Sequence, residues 1–142
     1  MVRRGRRKAM DPSTATKYHR VAKALAKTAG DLSVLAEDGD GYGNAIAIVA
    51  IHAAIAHADA LSIAFGGFKS TEGDHDGAVD TLLAALGSRS DPAQVRLLRS
   101  IIAEKDTVSY QGIYFTTDDA RAVVARLEAF AAWADQLFQQ RP

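Results

Sequence analysis

His52, His57 and Asp59 stand in the middle of the most apolar stretch of the chain, residues 45–65, AIAIVAIHAAIAHADALSIAF. Imidazole and carboxylate are the donors that hold zinc or move protons near neutral pH. On a helix His52 and Asp59, seven residues apart, lie two turns apart on one side, and His57 is rotated well away from both. A zinc pair on one helix wants ligands at i and i+4 with a third from elsewhere, and no H-E-x-x-H pattern occurs. The expectation is therefore no metal and no cofactor, with a hydrogen-bonded buried histidine as the default. His52, Asp59 and His75 remain as candidates for lining a small-ligand site.

The other carboxylates have structural explanations. Asp74 with Asp76, and Asp118 with Asp119, sit where helix N-termini favour negative charge. The chain holds no G-x-S-x-G elbow, glycine-rich phosphate loop or dinucleotide fingerprint, which disfavours the standard nucleotide enzymes.

The elements that must position these groups read as helices. Residues 45–65 are long enough to cross a membrane, yet their polar residues cluster at the centre, where lipid penalises them most. Alanine permits close approach of neighbours, so the segment reads as the central helix of a bundle. Asp11-Pro12 is an N-cap with proline at the first helical position. Tyr18, Val21, Ala22, Leu25, Ala29, Leu32 and Leu35 then recur at three- and four-residue steps. Gly66-Gly67 stops the central helix.

A polar connector over 69–73 precedes a third helix over about 74–86, with Val79, Leu82, Leu83 and Leu86 inward. Ser90-Asp91-Pro92 starts a fourth, striped by Val95, Leu98 and Ile102, which frays over 105–110. Residues 111–115, QGIYF, have strand-like composition, but an isolated strand has nothing to pair with and a packed loop is expected. Thr116 or Thr117 caps a last helix that carries Ala120, Val123, Val124, Leu127, Phe130, Ala131, Ala134 and Phe138 on its apolar face. The fold expected is all-α, an antiparallel bundle of about five helices.

The chain has 142 residues, 48% of them hydrophobic, and no cysteine. That length suits one domain, over 11–142. Without cysteine there is no disulfide framework, thiolate metal site or Cys nucleophile, and a reducing cytoplasm is the expected location. The formal net charge is zero. Arg3, Arg4, Arg6, Arg7 and Lys8 nevertheless put five positive charges in the first ten residues and leave the rest at minus five. Residues 1–10 show no apolar run of the secretory kind and are read as a flexible leader, with a phosphate-binding arm as the alternative.

The order of these pieces resembles the HEPN domain, an all-helical domain of bacteria and eukaryotes. His52-Ala53-Ala54 matches the F-H-A-A type central helix of small bacterial HEPN proteins, and His75 the histidine in the turn before helix three. EKDTVSY, with Lys105 to Tyr110, matches the R-x-x-A-D-Y element with lysine in place of arginine. The resemblance covers roughly 18–138. HEPN ribonucleases place a histidine four to six residues after an arginine, the arginine stabilising phosphate charge. This chain has no such pair, and Lys69, five intervening residues before His75, lacks arginine's bidentate geometry.

The resemblance with its missing motif implies a non-catalytic helical interaction module, a homodimer, that partners a minimal nucleotidyltransferase in a toxin-antitoxin type of system. The alternative is a metal-independent ribonuclease. In it Lys105 offsets phosphate charge, Tyr110 or His75 moves a proton, and Asp106 completes the set. Under the first reading Lys105 complements the negative end of helix four and the Tyr110 ring is packed. RNA or a nucleotide is a partner only under the second, and neither reading calls for a membrane.

Overall fold

The computed structural model describes residues 6–71 and 75–142, and the side chains of His75 and Asp76 lie outside that description. The chain is an all-α helical bundle: α1 Ala15–Leu35, α2 Tyr42–Gly66, α3 His75–Leu86, α4 Pro92–Ile102, α5 Lys105–Ser109 and α6 Thr117–Gln139. The five longer helices are those expected from the caps and stripes, and α5 is an additional short one.

Local chemistry starts and stops them. Asp11 accepts a hydrogen bond from Ser13 N at 2.9 Å, and Pro12 opens a 3-10 turn that runs into α1. Asp91 accepts from Ala93 N ahead of α4. A reciprocal box starts α6: Asp119 N donates to Thr116 Oγ1 at 3.0 Å and Thr116 N to Asp119 Oδ2 at 3.1 Å. Gly67, at φ 73°, takes the left-handed conformation that ends α2, and its N–H closes onto Ile63 O. The expected capping by Asp74 and Asp76 lies outside the described residues.

α2 is the axis of the bundle. Ile46, Ala47, Ala50, Ile51, Ala54, Ala58, Leu61 and Ile63 are all at most 1% exposed. It is also the one described helix long and apolar enough to cross a membrane, and two thirds of its most apolar window is covered by the other helices. Leu82 of α3, Leu98 and Ile101 of α4, and Val123, Leu127, Phe130 and Ala134 of α6 complete the core. α1 runs antiparallel to α6, as His19 meets Asp135 near one end and Arg121 reaches Ser33 O near the other.

The N-terminal end of α2 is held against the start of α6. Asn44 Nδ2 donates to Val108 O (3.1 Å) and Ile113 O (2.8 Å), while its Oδ1 accepts from Phe115 N (2.9 Å). A Cβ on Gly43 would lie 2.1 Å from Phe115 O, so only glycine lets the 115–116 backbone cross there. Residues 111–115 form the expected loop and no strand, but the expected packing is corrected: 111–114 are exposed, Ile113 at 47% and Tyr114 at 52%, and only Phe115 turns partly inward.

The expected flexible leader is corrected over Arg7–Ala9. These residues form β1, which pairs antiparallel with β2, Phe68–Ser70, in the register Arg7↔Ser70, Lys8↔Lys69, Ala9↔Phe68. Met10 N extends the link to Gly67 O at 2.8 Å. The strand has no apolar alternation of its own; its partner, part of the expected polar connector, supplies the ladder.

Candidate functional site

Three of the long helices bring one ligand-type side chain each to a common point: His19 from α1, His57 from α2 and Asp135 from α6. His19 Nε2 lies 2.7 Å from Asp135 Oδ1, and His57 Nδ1 lies 3.8 Å from the same oxygen. One ligand atom from each falls within 4.8 Å of the other two. The His19 ring is locked by stacking on Phe138, with centroids 4.0 Å apart and planes at 21°, and it meets the His57 ring edge-on at 5.8 Å. Arg141 also lies over the Phe138 ring, 4.1 Å from its centroid.

His57 departs from the hydrogen-bonded buried histidine that is the usual case. It is 1% exposed, and neither ring nitrogen has a hydrogen-bond partner among the described residues. Burial holds its pKa down at about 4, against the pull of Asp135 and with further lowering from His19 and Lys23. The ring is therefore neutral at pH 7. Asp135 is half-buried and borders a groove of about 530 Å³ between α1 and α6, flanked by Ala26, Gly30, Glu128 and Ala131. Two neutral-capable imidazoles and a carboxylate are a donor set for a borderline divalent metal, and equally a path for a proton.

His19 and Asp135 are the residues sequence reasoning missed. They stand 116 positions apart, and each reads locally as one polar residue on an amphipathic helix. The one signal was Asp135 on the otherwise apolar face formed with Ala131, Ala134 and Phe138.

The candidates His52 and Asp59 do come together. They line a groove of about 360 Å³ between α1 and α2 with Lys17, Tyr18, Val21, Leu25, Ile55 and Ala56. His52 is exposed. The Asp59 side chain is 16% exposed, and burial raises its carboxyl to about 6 against the opposing pull of Lys69, whose Nζ is 3.9 Å away. Lys69 belongs to β2, and its Nζ also lies 5.8 Å from the Tyr18 ring centroid, so the β1–β2 ladder positions the cation that faces Asp59. The side chain of His75, the third candidate, lies outside the described residues.

Lys105, Asp106 and Tyr110 lie at the opposite end of α2, tied there through Asn44 and Val108. The packed Tyr110 ring is corrected: Tyr110 is 76% exposed. α5 buries Val108 alone, and Tyr110 follows its last residue, beyond the reach of the core. The chain turns after Ile102, so Lys105 opens α5 at the positive end of a new helix, and Arg99 occupies the last turn of α4.

No family model, curated protein or solved structure matches the chain.

Proposed function

We propose that this chain is a non-catalytic helical interaction module, HEPN-like in the order of its elements, that works as a homodimer through the outward face of α1 and α2. The observation that carries the reading is a pair of apolar seams. On α1, Tyr18, Val21, Leu25, Leu32 and Leu35 follow three- and four-residue steps, with Thr28 completing the row, and Val21, Leu32 and Leu35 are 54%, 39% and 77% exposed. On α2, Ile48, His52, Ile55 and Asp59 keep the same steps and line or border the groove between the two helices. Heptad-like rows of this kind are what one helix pair offers another, and an apolar patch of this extent favours association.

The polar residues in the seam suit a second copy of the same chain. His52 and Asp59 are symmetric about the Ile55–Ala56 bond. A twofold axis through that bond sets His52 of each copy opposite Asp59 of the other, as an isologous interface requires. Ala56, small and at the axis, permits close approach. An imidazolium brought to Asp59 would favour its ionised form, which burial alone disfavours.

Cysteine cross-linking tests this directly, because the chain has no native cysteine. Ala56→Cys should form a disulfide-linked dimer on mild oxidation, and Ala129→Cys, on an exposed face of α6, should not. His52→Asp should dissociate the dimer in sedimentation equilibrium by opposing two carboxylates. A wild-type monomer at about 50 μM, a concentration at which a micromolar interface is mostly formed, overturns the reading.

A further inference from the structure

We propose that His19, His57 and Asp135 form a binding site for one divalent transition-metal ion of the zinc class, held between α1, α2 and α6. Two independent observations point to a ligand there. The first is the convergence of one ligand atom from each of three helices within 4.8 Å. Zinc at about 2.0–2.1 Å from nitrogen and oxygen donors would hold them roughly 3.3 Å apart. The His19–Asp135 contact of 2.7 Å opens slightly, and His57 moves in from 3.8 Å.

The second is His57 itself. A 1%-exposed imidazole with both nitrogens unpartnered among the described residues is rare in a folded protein, and its Nδ1 lies 3.8 Å from Asp135 Oδ1. A metal ion on that carboxylate would take the Nδ1 lone pair and remove that half of the deficit, leaving Nε2 to carry the proton. His19 binds through Nε2 as the Nδ1–H tautomer, with its ring already fixed by Phe138. The fourth position falls to water reaching Asp135 from the groove between α1 and α6. Lys23 is the nearby charge that opposes the ion, and the single Asp135 carboxylate offsets it.

The site is separate from the proposed dimer face, since His57 points into the bundle where His52 points out of it. Its ligands come from three helices, so no i, i+4 spacing announces it.

The test uses the full chain, stripped of metal with a chelator and titrated with Zn²⁺ alone by calorimetry and with Co²⁺ alone by visible absorbance. One equivalent should bind, with the intense bands of four-coordinate cobalt, and Zn²⁺ should raise the melting temperature. Asp135→Asn, at a half-buried position, should weaken Zn²⁺ binding at least tenfold and abolish the thermal gain. His57→Gln should do the same, while Tyr110→Ala, exposed at the opposite end of α2, should bind as wild type does. No binding by the wild type, or wild-type affinity in Asp135→Asn, overturns the proposal. If His57→Gln fails to fold, Asp135→Asn with its metal-free melting temperature still decides.

Discussion

His19 Nε2 and Asp135 Oδ1 meet at 2.7 Å across the α1–α6 interface, and His57 packs 3.8 Å from the same oxygen without a hydrogen bond among the described residues. One carboxylate is thus shared between a histidine it satisfies and a histidine it does not. The consequences of that sharing are measurable.

Stability should fall on acidification through His57. Its folded pKa of about 4 lies below its ordinary 6.5, so between those values the unfolded chain binds more protons. The contribution is fully present above pH 6.5 and is lost as pH falls toward 4, about 3 kcal/mol in all. Asp59, raised from 3.8 to about 6, works in the opposite sense: it favours the folded state at low pH and loses that contribution as pH rises through this range. Urea unfolding of Asp59→Asn with chelator present, at pH 7.5 and 4.5, isolates His57. A flat profile between those pH values contradicts the buried neutral ring.

Asn44→Ala should destabilise the fold by about 2 kcal/mol, since three hydrogen bonds to Val108, Ile113 and Phe115 are lost together. Amide exchange should quicken over residues 108–115 and stay unchanged in α3. Equal quickening everywhere would mean that Asn44 supports the whole bundle and not this loop.

Gly43→Ala should cost about 3 kcal/mol, because the new methyl meets the Phe115 and Thr116 carbonyls at 2.1 and 2.5 Å and backbone must move. A melting temperature within a degree or two of wild type would show that α2 and the 115–116 backbone are not in this contact.

Tyr110→Ala should change stability by less than about 0.5 kcal/mol, as expected of an exposed side chain, while Phe130→Ala, from a side chain 0% exposed, should cost about 3–5 kcal/mol. Chemical denaturation of the pair checks the contrast. Comparable losses would place the Tyr110 ring in the core.

Helix boundaries were legible in the chain because their causes are local. Asp11-Pro12, Asp91-Pro92 and Thr116 with Asp119 supply the first donors' partners within a turn, Gly67 supplies the left-handed stop, and a 3.6-residue stripe names the apolar face of each helix, which is buried in α4 and α6 but on α1 leaves Val21, Leu32 and Leu35 exposed. The all-α bundle and the depth of α2 follow from those alone. So does the placing of His52 and Asp59 on one side of α2, since seven residues are nearly two full turns. Three features depended on which helix packs where, and at what height. Arg7–Ala9 became a strand because Phe68–Ser70, about sixty residues away, offered its open backbone. Tyr110 stayed in solvent because α5 ends short of the core. His19, His57 and Asp135 converged because α1, α2 and α6 settled at one register against each other. Side-chain packing sets that register along the whole length of the helices, and no single segment encodes it.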